Sequence, residues 1–246
     1  YDNYKVLTYD GGNNVPLNES SEGYENGFPN KKELKKIKNE TVWFFVCGAG
    51  KIAGATLRLL EQIKENKINV VYIVPDMSIM SDKSVKRNKV VANVLQEYAR
   101  SGLLKSIYLV SNDSMQQIVG EAPLSSYYSK MNELLFNCVH SLNIFQNSEP
   151  IFGQIHEPKE ISRIRTFVFS EIKKKEKKLF FPLDNITETC YIYNINEKEI
   201  KTNSNLISEI KQNLDKEIIS SFSIYQTPYD HSYAYGINYT HIIQEV

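Results

Sequence analysis

The sequence is poor in cysteine and has no excess of charge of either sign. Cys47, Cys138 and Cys190 lie far apart and form no CxxC pair, which argues against a zinc site and a disulfide framework. Reduced, buried thiols are typical of a cytoplasmic protein. The 29 lysine and arginine residues balance 29 aspartate and glutamate residues. No overall electrostatic field therefore favours nucleic acid or an anionic membrane.

Long apolar runs are also lacking. None approaches the roughly 20 residues that span a bilayer, and no secretory signal pattern is recognised. We therefore expect a cytoplasmic protein with no membrane partner. No basic helix-turn-helix occurs, so direct nucleic-acid binding is not expected. The local lysine run at residues 173–178, interrupted only by Glu176, is predicted to form an exposed hairpin tip.

Strand and helix patterns alternate three times between residues 41 and 111. The runs "TVWFFVC", "INVVYIVPD" and "KSIYLVSND" have the continuous apolar character of strands buried on both faces of a parallel sheet. This alternation predicts an α/β domain, whose ligands bind beyond the carboxyl ends of the strands. The segments "CGAGKIAG", "PDMSIMSD" and "SNDS" are therefore expected to line one crevice.

The 246-residue chain divides at a long amphipathic helix predicted over 125–147. Residues 1–124 are predicted to form a nucleotide-binding domain, and 148–246 a smaller α+β domain. In the latter, "IRTFVFSEI", "KLFFPLD", "SSFSIYQTP" and "SYAYGINYTHI" are predicted strands, and "EPIFGQIHEPKEIS" a loop leading into a short helix. Near the beginning, "YKVLTY" is predicted to be a strand and 10–30 a long loop.

The stretch "FFVCGAGKIAGATLRLL", residues 44–60, is the strongest functional signal. A buried strand runs through three glycines into a helix, the arrangement in which backbone amides hold a phosphate. One interpretation is a dinucleotide site. In it "GAGKIA" fits G-x-G-x-x-A, and Asp76 ends the next strand where a ribose-binding acid is expected.

The second interpretation comes from resemblance. The order of elements resembles the tubulin/FtsZ superfamily of polymerising GTPases, in which a GGGTGTG or GGGTGSG loop follows a buried strand. Gly48, Gly50 and Gly54 match its first, third and seventh positions, whereas residues 49 and 51–53 depart from it. The resemblance implies a Rossmann-like parallel-sheet GTPase domain, a long central helix and a smaller α+β C-terminal domain.

Downstream segments extend the resemblance. "VPDMSIMSD" is similar to the family's ribose loop, and Asn112 in "SNDS" to its nucleotide-proximal asparagine. In "SYYSKMNELL", Tyr128 would stack on the guanine and Asn132 would read its edge, while "DGGNN" would meet the γ-phosphate. The implied nucleotide-binding residues are Gly11, Gly12, Gly48, Ala49, Gly50, Lys51, Gly54, Asp76, Asn112, Tyr128 and Asn132. Asn132 as a solvated helix residue, Asn112 as a helix cap and Lys51 as a surface lysine are the open alternatives.

The resemblance also implies the catalytic groups. In the family, acidic residues spaced by three in the loop after the central helix enter the neighbouring subunit's pocket and orient the attacking water. Glu157 and Glu160 in "IHEPKE" have this spacing, although the family's residues are aspartates. The implied cofactors are GTP/GDP and Mg²⁺. A first helical turn with favourable acids is the alternative interpretation.

Three functions follow from these patterns. The first is a filament of identical subunits, head to tail, that hydrolyses GTP at each interface and positions or segregates DNA through a DNA-bound adaptor, as in divergent phage or plasmid tubulins. The second is an NAD(P)-binding oxidoreductase or sensor. The third is a non-hydrolysing structural protein of tubulin fold. The family's first phosphate loop is not found, so the first domain is expected to lack its first strand, loop and helix.

Overall fold

The fold is built around one mixed sheet. A computed structural model describes residues 4–12, 14–172, 176–228 and 230–246. Its strands are β1 Thr41–Cys47, β2 Lys67–Val74, β3 Ser106–Ser111, β4 Phe152–Gln154, β5 Ile164–Glu171, β6 Lys177–Leu179, β7 Glu188–Asn196, β8 Ile219–Thr227 and β9 Tyr233–Thr240.

The strand order is β1-β2-β3-β5-β9-β7-β8-β4, and β6 pairs with β5. The first three strands are parallel, as their continuous apolar runs predict. β3 joins β5 through two residue pairs, Ile107 with Ile164 and Tyr108 with Arg165. Beyond this narrow junction most of the pairing is antiparallel. The result is an α/β fold with a parallel core and a mixed second half.

Helices cover both faces of the sheet. They are α1 Ser21–Gly27, α2 Lys32–Lys35, α3 Thr56–Gln62, α4 Asp82–Arg100, α5 Asn112–Val119, α6 Tyr127–Gln146, α7 Glu197–Thr202 and α8 Leu206–Gln212. Short 3₁₀ helices span Lys51–Ala55, Met77–Ile79 and Leu124–Ser126. No helix in the described ranges is both long and apolar enough to cross a bilayer.

Three apolar clusters hold these layers together. On one face of the sheet, α3 and α4 pack against β2 and β3 through buried side chains such as Leu60 and Leu95. On the other, α6 buries the stripe that includes Leu135 and Leu142 against Tyr108 and other sheet residues. The third cluster packs α8 against β7 and β8. The sheet is therefore buried on both faces, which fixes where its loops emerge.

Some predicted elements differ from the structure. Residues 4–9 form no strand, and α1 lies within the predicted loop 10–30. No helix follows "IHEPKE", where residues 160–161 form a turn. The sequence interpretation missed β7, which lies between β9 and β8. Lys173, Lys174 and Lys175 of the predicted hairpin tip lie outside the described residues, although the flanking strands β5 and β6 do pair antiparallel.

Candidate functional site

The loops that follow the three parallel strands emerge at one edge of the sheet. Cys47, at the end of β1, is in register with Ile73, and Val74, at the end of β2, is in register with Ser111. The glycine loop, the segment after β2 and the start of α5 therefore leave the sheet side by side. This is the edge at which open α/β sheets bind ligands.

The glycine loop is packed tightly against the rest of the protein. A Cβ on Gly48 would lie 1.8 Å from the Tyr72 hydroxyl oxygen, and a Cβ on Gly54 would lie 2.0 Å from the carbonyl oxygen of Ser21. Both positions thus require glycine because protein atoms already fill the space. Gly50 differs, since a Cβ there would meet no atom closer than 3.9 Å. The open side of the loop is therefore at Gly50.

Two neighbouring residues of α4, Arg87 and Asn88, lie against this loop. The Arg87 guanidinium donates through Nη1 to the carbonyl oxygen of Ala49 at 2.7 Å. The Tyr72 hydroxyl of β2 lies 2.7 Å from Oδ1 of Asn88 and 2.9 Å from the Asn88 carbonyl oxygen. Tyr72 and Asn88 are fully buried. The loop is thus held by one charged hydrogen bond, from Arg87 to Ala49, and by the packing of the Tyr72 hydroxyl against Gly48.

The donors of the loop suit an anion. Burial raises the pKa of the Cys47 thiol, while the backbone N–H groups of Ala49 and Gly50, which approach the sulfur, act in the opposite direction. These amides cluster at the end of β1, and the exposed Lys51 begins the 3₁₀ helix beside them. Amides at such a turn beside a lysine have the chemistry of a phosphate site, and in this structure two of them face the Cys47 sulfur.

The other predicted contacts are arranged around the same edge. The Asp76 carboxylate accepts from the Ser78 hydroxyl at 2.6 Å and from the Ser78 backbone N–H at 2.9 Å, and these bonds lower the pKa of Asp76. Asp76 therefore begins a 3₁₀ helix. Asn112 is the first residue of α5, and Ser111, which accepts from the Ser114 N–H, is its cap.

Tyr128 and Asn132 lie on the first turns of α6, and both are exposed. The Tyr128 ring is 66 % exposed and touches Tyr127 edge to face. An aromatic ring that is free on one side can stack on a base. Gly11 and Gly12 form a separate turn, in which the Gly12 N–H donates to Val15 and Gly11 lies against the Tyr24 ring.

A cavity of about 1910 Å³ extends along β1 and α6. Four predicted residues line it: Gly50, Asn132, Glu157 and Glu160. Gly11, Gly12, Gly48, Ala49, Lys51, Gly54, Asp76, Asn112 and Tyr128 do not line this cavity. It connects the open side of the glycine loop with the opposite edge of the sheet.

Glu157 and Glu160 lie at that opposite edge. Glu160 pairs with Arg163 at 3.0 Å, and Arg163 also donates to the carbonyl oxygen of Leu104, just before β3 begins. A six-residue strand spans about 20 Å, so these carboxylates are separated from the glycine loop of the same chain by roughly that distance. The Glu160 side chain is 89 % exposed, so it is free to meet another molecule.

No group of three or more His, Cys, Asp or Glu side chains within the described ranges could hold a metal ion. Sequence reasoning did not identify Tyr72, Arg87 or Asn88 as neighbours of the loop. The available signal is a tyrosine hydroxyl inside the apolar run VVYIV of β2.

Comparisons with protein-family models and with curated proteins gave no match. Solved structures match at low sequence identity. A protofilament of TubZ from Bacillus thuringiensis serovar israelensis, in its GTPγS form, matches with a TM-score of 0.60 at 15 % identity, over 84 % of this chain and 61 % of that one. FtsZ from M. jannaschii matches with a TM-score of 0.63 at 12 % sequence identity, over 92 % of this chain and 74 % of that one.

CetZ from Methanosaeta thermophila matches with a TM-score of 0.63 at 11 % identity, over 90 % of this chain and 68 % of that one. The chain thus spans about three fifths to three quarters of the length of these structures. At such identities the likeness concerns the fold alone. The parallel core, the glycine loop after β1 and the long α6 are parts of a tubulin/FtsZ-like fold, and that is the fold of this chain.

Proposed function

We propose that this protein binds a guanine nucleotide at the glycine loop and assembles head to tail into filaments. One observation supports this above all. The glycine loop and the exposed acidic residues lie at opposite edges of the same sheet. In a head-to-tail polymer, the acidic edge of one subunit meets the loop edge of the next. A site completed in this way turns over only in the assembled state.

The chain's own residues would have distinct roles. The loop amides and Lys51 would bind the phosphates, Tyr128 would stack on the base and Asn132 would hydrogen-bond its edge. Mg²⁺, when bound, would offset negative charge between the phosphates. Glu160 of the neighbouring subunit would orient the attacking water and accept its proton, with Glu157 beside it.

We further propose a role in positioning or segregating DNA through a DNA-bound adaptor protein. Support comes from the likeness to a TubZ described as a type III plasmid segregation protein, which matches at 13 % identity over 92 % of this chain. The proposed division of the chain is 1–124, 125–147 and 148–246. The two-pair junction between β3 and β5 supports a boundary in this region.

The alternatives are tested by the same measurements. Calorimetry with GTP, GDP and NAD(P) identifies the ligand, and sedimentation with electron microscopy detects filaments. The proposal expects guanine nucleotide binding and nucleotide-dependent filaments. Binding of NAD(P) instead would favour the oxidoreductase or sensor. Filaments without any nucleotide affinity would favour the non-hydrolysing structural protein.

A further inference from the structure

A buried polar pair, Tyr72 and Asn88, packs against the glycine loop. The Tyr72 hydroxyl is hydrogen-bonded to Asn88 and occupies the space that a Gly48 side chain would need. Both partners have no exposed surface. A tyrosine ring fixed in this way by burial and hydrogen bonding cannot change rotamer. It therefore limits how closely the backbone of Gly48 can approach β2.

The next residue of α4 holds the loop at a second point. Arg87 precedes Asn88 and donates to the carbonyl oxygen of Ala49 at 2.7 Å. Hydrogen bonds from charged donors are stronger than neutral ones. The Asn88 side-chain nitrogen is buried with no hydrogen-bond partner in the described part of the chain. It remains available for a loop carbonyl or a buried water molecule.

We propose that Tyr72, Asn88 and Arg87 are positioning residues that hold residues 48–50 in the conformation that binds the ligand. These three residues are called the clamp. The identity of the ligand, a guanine nucleotide, rests on the function proposed above. A loop that is already ordered avoids the entropy cost of ordering when the ligand binds, so the clamp raises affinity without touching the ligand. Tyr72 and Asn88 act only through the loop backbone.

Amide hydrogen exchange tests the clamp without any ligand. Tyr72→Phe removes one buried hydroxyl and keeps the ring. The matched control is Tyr225→Phe, because Tyr225 is also a buried residue and its hydroxyl donates to a backbone oxygen, that of Phe145, at 2.9 Å. In the nucleotide-free protein we expect amides 48–54 to exchange about tenfold faster in Tyr72→Phe, the effect of one lost hydrogen bond.

Tyr225→Phe should leave loop exchange unchanged, and β3 serves as the internal reference for both variants. Loop exchange that is unchanged in Tyr72→Phe, or equally accelerated in Tyr225→Phe, would overturn the clamp. Nucleotide affinity gives the second readout. We expect Tyr72→Phe and Asn88→Ala to weaken binding of GTP by about tenfold, and Tyr225→Phe to leave it unchanged.

The two proposals fail differently. Wild-type protein that binds no guanine nucleotide would contradict the proposed function, and the exchange measurement would still decide the clamp. Wild-type protein that binds GTP, with equal affinity in Tyr72→Phe and Asn88→Ala, would contradict the clamp and leave the proposed function in place.

Discussion

Gly48 and Gly54 are restricted to glycine by contacts made with distant parts of the chain. Their neighbours, Tyr72 and Ser21, belong to β2 and α1, so the sequence around the loop gives no sign of them. The resemblance to a phosphate loop explains why glycines occur here. The structure adds a packing reason that acts with or without a ligand.

The packing requirement at Gly48 can be tested by combining Gly48→Ala with Tyr72→Phe. Gly48→Ala would place a methyl group 1.8 Å from the Tyr72 hydroxyl oxygen and 2.8 Å from the ring carbon that bears it. Removing the hydroxyl with Tyr72→Phe should therefore relieve part of the clash. We expect the double variant to be more stable than the sum of the two single effects predicts, by about 0.5–3 kcal/mol.

Chemical denaturation of the wild type, both single variants and the double variant measures this coupling. Strictly additive free energies of unfolding would show that the hydroxyl does not limit the space at Gly48. The cycle does not depend on any nucleotide, so it tests the packing separately from function.

Glu160 provides the sharpest test of catalysis. If the site is shared between subunits, Glu160→Gln should leave GTP binding nearly unchanged and slow turnover by about two to four orders of magnitude. Filaments should still form and should persist, because the γ-phosphate is no longer removed. Glu157 is the weaker candidate for the group that orients the water, since the residue before a proline is restricted to extended conformations.

Asn132→Ala is the comparison variant, because it should weaken nucleotide binding first and assembly as a consequence. Nucleotide affinity, phosphate release and pelleting separate the two variants. Equal loss of affinity in both, or unchanged turnover in Glu160→Gln, would contradict a site shared between subunits. The ion pair with Arg163 is open to solvent on the Glu160 side, where screening weakens it, so it is expected to contribute little to stability.

At the scale of elements, the sequence predicts best where pattern and length agree. The strands β1, β2 and β3 were predicted because parallel strands buried on both faces are continuously apolar. β7 was missed although most of it is buried, since its continuous apolar run, CYIY, has only four residues and polar residues lie on both sides of it. Residues 4–9 carry a strand-like pattern but pair with no strand in the described part of the chain, because pairing depends on tertiary structure.

Two further elements show the same limit. α1 contains two glycines and has low intrinsic helix propensity, but Ser20 caps it by accepting from the Gly23 N–H at 3.0 Å, and Tyr24 packs it against the core. The acidic segment 157–160 has a helical composition and forms no helix. In the candidate site, the proposed ligand-binding residues could be predicted from their positions in motifs. The contacts that other elements make with the glycine loop could not.

The helix α4 should dominate stability on its face of the sheet. Leu95 is fully buried in the cluster that α4 shares with β2 and β3, so Leu95→Ala should lower the free energy of unfolding by about 2–5 kcal/mol. Leu103, two residues beyond the cap of α4, is 65 % exposed. Leu103→Ala should change it by less than about 0.5 kcal/mol. Similar losses in both variants, measured by urea denaturation, would refute this packing.

Across the whole molecule, α4 also connects the two halves of the chain. Near its carboxyl end, Gln96 and Gln244 exchange two hydrogen bonds, of 3.0 and 2.8 Å, between side chain and backbone. The Gln244 side chain in turn accepts from the Asp184 N–H at 2.6 Å. One helix therefore contacts the glycine loop near its start and the segment after β9 near its end.

Buried tyrosines predict how the whole molecule responds to high pH. Burial and the nearby Glu33 carboxylate raise the pKa of Tyr9 to about 12, and burial also raises the pKa of Tyr72 and Tyr193. In the unfolded chain a tyrosine ionises near pH 10, at about its ordinary pKa. The stabilisation is therefore complete below about pH 10 and falls as the pH rises towards 12.

Denaturation curves between pH 8 and pH 12 check this response. Tyr9→Phe keeps the ring and removes the ionisable group, so it should lose less stability across about pH 10 to 12 than the wild type does. Superimposable pH profiles for the two proteins would contradict the assigned environment of Tyr9.

The two ends of the sheet differ in how well they resist unwanted strand addition. β4 closes one end with three residues, the short form in which natural edge strands are protected. β1 ends the other with seven apolar-rich residues, pairs only with β2 within the described ranges, and leaves Phe45 40 % exposed. No proline or internal charge interrupts "TVWFFVC". Aggregation of these 246 residues should therefore increase steeply with concentration, through irregular β-pairing that begins at this edge.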